Sequence, residues 1–178
     1  MTTTTSNQLN KPVLKVGSTA ETVKELQKLL LDYGMYVYLY NDGACAFPAG
    51  AEAIDGVFGS ETEKAVKLFQ HKMFLVQDGI VGNKTWRSLY KGTPVDMPIL
   101  KKGSTGELVK QMQDRLFTGN YYSGGLTMNN HASKVDGIFG SQTEVAIRNL
   151  QQNNSLPVDG IVGDRTWFEI SKIQTVFC

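Results

Sequence analysis

The side chains here that could do chemistry are few and unevenly placed. The two histidines, His71 and His131, occupy non-equivalent places in the chain. Neither stands at i, i+4 or any other ligand spacing with a second His or Cys, as a zinc amidase or peptidase requires. No G-x-S-x-G elbow presents a nucleophilic serine, and no G-K-[ST] follows the glycines to cradle a phosphate. Cys45 has no helix N-terminus or neighbouring base to activate it for a dyad with His71. Spacing alone leaves a glycosidase-type pair of carboxylates open. The acidic residues are, however, absorbed by helix caps and turns, and no segment of catalytic size stands apart from the repeats described next. The expectation is a chain without enzyme activity, with no catalytic residue, metal or cofactor.

The more telling acids are four that precede glycine: Asp55-Gly56, Asp78-Gly79, Asp136-Gly137 and Asp159-Gly160. An Asp carboxylate accepts from its own downstream amides while Gly takes a positive φ, so each pair makes a tight turn. These turns also expose amides and side chains that a ligand could meet, and the two roles are compatible.

The elements that carry the turns come from a duplication. Leu14–Leu30 (LKVGSTAETVKELQKLL) and Leu100–Leu116 (LKKGSTGELVKQMQDRL) agree at 10 of 17 positions. Asp55–Gln70 and Asp136–Gln151 agree at 9 of 16, and Asp78–Trp86 and Asp159–Trp167 at 7 of 9, in the same order. Three helix starts are predicted in each copy. Ser18 with Glu21 and Ser104 with Glu107 have the spacing of a capping box, as do Ser60 with Glu63 and Ser141 with Glu144. Asn83 and Asp164 suit the N-cap of a third helix. Helical spacing puts Val23, Leu26 and Leu30, then Ala65, Val66, Phe69 and Met73, then Trp86 and Leu89 on core faces. Val109, Met112, Leu116, Ala146, Ile147, Leu150, Trp167 and Ile170 mirror them, and the tryptophans read as packing anchors.

Length and composition narrow the partners. The 178 residues suit two small domains of marginal but sufficient core. Eighteen Lys and Arg against 17 Asp and Glu give a net charge of +1, so no long-range field favours nucleic acid or anionic lipid. No apolar run reaches membrane-span length. Cys45 and Cys178 do not make a disulfide framework and read as free thiols. The Thr-rich start lacks the basic and apolar stretches of a secretory leader.

In the order G-S/T-x-x-E…L-Q, DGxFGxxTxxAV…Q, DGIVGxxTW, the chain resembles the peptidoglycan-binding module found beside bacterial and phage wall hydrolases. The resemblance implies a mainly α fold of two tandem three-helix modules that bind cell-wall glycopeptide without cleaving it. The expected layout is a polar N-terminal arm (1–13), module 1 (14–91), a Pro-containing linker (92–99) and module 2 (100–178). Compact members of that family pass more quickly from helix one to the first Asp-Gly. Here an inserted loop or short hairpin is expected after helix one, between Asp32 and Ile54 and between Phe117 and Val135. Met35, Val37 and Leu39 alternate with Tyr36, Tyr38 and Tyr40, the pattern of a strand with one apolar and one tyrosine face. The inserts either cover the core, block the groove, serve a protein partner, or place rings beside it, since tyrosine stacks on sugar faces. The candidate groove then comprises Tyr36, Tyr38, Asp55, Phe58, Thr62, Gln70 and Asp78, with Tyr121, Tyr122, Asp136, Phe139, Thr143, Gln151 and Asp159 in the second copy. Peptidoglycan is the expected partner, with another protein subunit through the N-terminal arm as a further one, and neither nucleic acid nor membrane. The expected site of action is the wall, periplasm or exterior, reached without a visible leader. Alternatives are a structural or targeting subunit of a wall-directed, phage-tail-like assembly, or the binding part of a wall hydrolase.

Overall fold

The structure, a computed structural model, describes residues 9–36, 38–39, 45–46, 53–122 and 131–173, the two short pieces by backbone only. Of the predicted features, Tyr38 and Cys45 are therefore placed only by backbone, and Val37, Tyr40 and Cys178 lie outside the described residues. The chain divides into two compact units between Val95 and Asp96. Among the described residues it is mainly helical, with seven helices and one pair of two-residue strands.

The first unit holds α1 (Glu21–Asp32), α2 (Ser60–Lys72) and α3 (Asn83–Lys91). The minimal antiparallel pair β1 (Tyr38–Leu39) and β2 (Cys45–Ala46) follows α1. The predicted apolar stripes meet in one core of Val23, Leu26, Leu30, Ala65, Val66, Phe69, Met73, Trp86 and Leu89, all buried. Two isolated bridges tie the segment ahead of α1 to the turns, Leu14 to Val81 and Thr19 to Val57. The Trp86 indole donates to the carbonyl of Pro12 at 2.9 Å, so it fixes the incoming chain as well as filling the core.

The second unit repeats this plan with α4 (Glu107–Thr118), α6 (Ser141–Asn153) and α7 (Asp164–Lys172). Leu100 bridges Val162 and Thr105 bridges Ile138. Trp167 donates to Pro98 at 2.9 Å. Its insert carries one additional helical turn, α5 (His131–Lys134), which the sequence pattern did not indicate. There the His131 ring meets Phe117 edge-on and its Nε2 lies 2.9 Å from Asp114.

The helix starts differ from expectation. The caps of α2, α3, α6 and α7 are Gly59, Gly82, Gly140 and Gly163, with no side-chain cap bond. Ser60, Asn83, Ser141 and Asp164 are the first helical residues instead. Glu63 and Glu144 reach forward to Lys67 and Arg148 rather than back to a cap. Ser18 lies ahead of the cap Ala20, and its hydroxyl accepts from the Lys15 amide at 3.1 Å; Ser104 does the same with Lys101. The bridges to the Asp-Gly turns account for this, because Ser18 gives its carbonyl to Phe58 and Ser104 gives its own to Phe139. Both serines lie in the bridged segment ahead of the helix, not in the helix.

Candidate functional site

Each Asp-Gly turn is locked by a glutamine from the preceding long helix, and the same clasp occurs four times. In the first, the Gln27 amide donates to Asp55 Oδ1 at 2.7 Å and to the Val57 carbonyl at 3.1 Å. Its Oε1 accepts from the Gly56 amide at 2.9 Å, and Asp55 Oδ1 also accepts from the Val57 amide at 2.8 Å. The Thr62 hydroxyl completes the set, 3.3 Å from the Gln27 nitrogen. Gln70 holds Asp78-Gly79-Ile80 with Thr85 in the same way. Gln113 holds Asp136-Gly137-Ile138 with Thr143. Gln151 holds Asp159-Gly160-Ile161 with Thr166. One side chain thereby satisfies a buried amide, a carbonyl and a carboxylate that would otherwise be costly inside a small fold.

Glycine is required at the turn for two reasons. Gly79 has φ +71°, and a Cβ there would lie 2.8 Å from Glu63 Cγ. The Glu63–Lys67 ion pair of α2 lies against this glycine, as Glu144–Arg148 of α6 lies against Gly160.

The electrostatics follow the hydrogen bonds. Gln27 and the Val57 amide hold Asp55 below the usual carboxylate range. For Asp136 burial pushes upward, but the Ile138 amide and Gln113 outweigh it and the group stays low. The Ile161 amide, with Gln151 behind it, does the same for Asp159.

This geometry redistributes the predicted site residues. Asp55, Asp78, Asp136 and Asp159 are exposed, with Oδ1 committed to the turn. Phe58, Phe139, Thr62, Thr143, Gln70 and Gln151 are buried and shape the turns from behind, and Gln151 also lines the recess at the fourth turn. Tyr36 and Tyr122 are buried as well, against the expectation of an exposed ring wall. The reason is the end of helix one, where Met35 and Tyr121 return their amides to Leu30 and Leu116 and fold the next residue inward. The Tyr36 hydroxyl then sits 3.5 Å from Thr62, and Tyr122 donates to the Lys134 carbonyl at 3.1 Å. Burial pushes the Tyr122 phenol up to about 12. Met35 is buried beside Tyr36, so the alternation of faces does not begin there. Tyr121 is half-buried, and its carbonyl accepts from Asn149.

What the turns present outward is the aliphatic residue after each glycine. Val57, Ile80, Ile138 and Ile161 are 47%, 38%, 54% and 38% exposed, although their backbones are fixed by the clasps. The following residues, Phe58, Val81, Phe139 and Val162, point into the core. The sequence carries this in–out alternation as D-G-φ-φ, where it is masked because both φ residues are apolar. At the fourth turn Ile161 lines a recess of about 380 Å³ together with Ile99, Leu156, Pro157, Asp159, Asp164 and Arg165.

The model of a family described as "Putative peptidoglycan binding domain" matches residues 19–89 and 105–168, one segment in each unit. The N-acetylmuramoyl-L-alanine amidase CwlL of Bacillus licheniformis is 31% identical over 93% of this chain and 48% of its own length. A spore cortex-lytic enzyme of Bacillus cereus is 40% identical over 38% of this chain and 23% of its own. The N-acetylmuramoyl-L-alanine amidase CwlM of Mycobacterium tuberculosis is 29% identical over 86% and 36%. The chain thus spans about half or less of these relatives. A solved structure of the SleB N-terminal domain aligns with 36% identity over 42% of this chain and 90% of that one, with a TM-score of 0.35.

Proposed function

Because the chain belongs to the peptidoglycan-binding domain family, we propose that it is a non-catalytic, bivalent binder of bacterial cell-wall peptidoglycan acting at the wall. The observation that carries the reading is the fourfold clasp, which makes both modules complete and presents an exposed aliphatic side chain on a rigid turn at each. A rigid turn loses little freedom when a ligand docks, so even small contacts retain their value. Two weak sites on one chain raise avidity on a polymer well above either single affinity.

The test is retention of the purified chain on washed, insoluble sacculi at low and high salt. With a net charge of +1, retention that persists at high salt is expected. Absence of retention at both salt concentrations overturns the reading.

A second reading, the wall-targeting part of a hydrolase, is favoured by one observation. The Bacillus licheniformis amidase matches nearly the whole of this chain while more than half of that enzyme lies outside the match. Sequencing the gene on both sides decides between the two, since a catalytic segment joined in frame would make this chain the targeting half.

A further inference from the structure

We infer that the recess at the fourth turn takes the zwitterionic end of a diamino-acid side chain in a wall stem peptide, an inference that rests on the peptidoglycan-binding reading. Part of its wall is apolar, formed by Ile99, Leu156, Pro157 and Ile161, with Gln151 and Thr166 among the polar lining, and Ile99 and Ile161 are exposed despite their size. At about 380 Å³ it has the size of a small-ligand site. Two opposite charges stand side by side at its rim, Asp164 and Arg165, and neither side chain has a hydrogen bond or ion pair among the described residues. Asp159, the third charged group, already spends Oδ1 on the clasp.

The class of occupant follows from this arrangement. A simple anion drawn to Arg165 meets the Asp164 carboxylate, and a simple cation drawn to Asp164 meets the guanidinium. A group bearing an ammonium and a carboxylate on neighbouring atoms meets its complement at both. The apolar part of the wall suits the methylene chain that joins such a group to a peptide backbone. Among the described residues no aromatic ring lines the recess to stack on a sugar, which turns the assignment from glycan to peptide. Stem peptides of the wall carry a diamino acid, and its diacid form ends in this pair of charges. The corresponding residues of the first module are Asn83 and Lys84. An amide offers no charge to an ammonium, so that module discriminates less.

The experiment titrates the full-length, isotope-labelled chain with a soluble tripeptide ending in the diamino-diacid. Parallel titrations use the same peptide with its side-chain carboxylate amidated, and with its side-chain amine acetylated. Shifts at the amides of residues 159–166 report the recess. Arg165→Gln is expected to weaken binding about tenfold, the scale of one charge-assisted hydrogen bond. Amidation should cost the same, and the two together no more than either alone. Asp164→Asn, which copies the residue that begins α3, should behave so towards acetylation while leaving the fold intact. Unchanged affinity in both variants, or no shift at residues 159–166, with sacculus retention undiminished, overturns the inference and leaves the broader reading standing. Failure of the unmutated chain to bind sacculi overturns both.

Discussion

Where the first module holds Lys11 against Glu25, the second carries Met97 and Gln111. Lys11 lies 2.6 Å from the Glu25 carboxylate and over the Trp86 and Tyr90 rings; Tyr90 also donates to Glu25, and in the second module Ser171 stands in its place. The end of the third helix is fastened differently too. In the first module Tyr33 donates to the Leu89 carbonyl at 2.7 Å; in the second a buried guanidinium, Arg115, donates to Ile173 at 3.0 Å. Burial lowers Arg115 to about 10. The clasps, by contrast, are the same in both modules to within a few tenths of an ångström. The difference teaches which contacts are replaceable. Any donor that reaches the last carbonyl will fasten a helix end, whereas a clasp must satisfy an amide, a carbonyl and a carboxylate from one side chain.

That equivalence can be broken most directly at Gln27 and Gln113. Replacing either with Leu strands a buried glycine amide and takes a donor from a carbonyl and a carboxylate, at a cost of about 3 kcal/mol. Urea unfolding followed by hydrogen exchange in each module should give the two variants equal costs. A gap of more than ~1 kcal/mol between them would end the claim that the clasps are interchangeable.

Acid sharpens the comparison with a smaller effect. Asp55 and Asp136 are both held below the ordinary aspartate value of 3.8 in the folded chain. Each therefore contributes stability that is fully present above that value and is lost as pH falls through the lower, folded one. Asp55→Asn and Asp136→Asn keep an acceptor oxygen but no charge, so each should flatten the loss of stability below that value. A thermal-melting series from neutral to strongly acidic pH would read it, and an unaltered slope in either variant would separate the two modules.

The smallest effect is expected from Lys11→Met, which copies the second module. The pair is partly exposed and open to screening. The variant should melt slightly below the parent at low salt and together with it near ~1 M, where the screening length is about 3 Å. A difference that persists at high salt would mean that packing on Trp86, not charge, fastens this edge.

Much of the fold was legible because the duplication displays each signal twice. Trp86 and Trp167 read as anchors from their place in an amphipathic stripe, and both are buried. The Asp-Gly turns read correctly from local chemistry alone. The clasps did not, because Gln27 and Asp55 are 28 residues apart and no local pattern links them. Gln70 and Gln151 are buried and hold the turns, and Gln151 lines the fourth-turn recess as well. The serine caps misled for a related reason: a capping box is a local pattern, and the bridge from Ser18 to Phe58 is not. Tyr36 was misassigned because alternation predicts faces only within a strand, and the inward fold after Gly34 precedes the strand.

The same clasp closes over 8 residues between Gln70 and Asp78 and over 28 between Gln27 and Asp55. Lengthening a loop by that ratio costs only about 1 kcal/mol of closure entropy. The glutamine therefore works like a socket: whatever is spliced between helix one and its turn, the turn is seated identically. That makes the position an exchange port, where segments of different length and chemistry can be traded through evolution or by grafting without moving Val57 or Ile138, so the inserts and the presented faces can diversify independently.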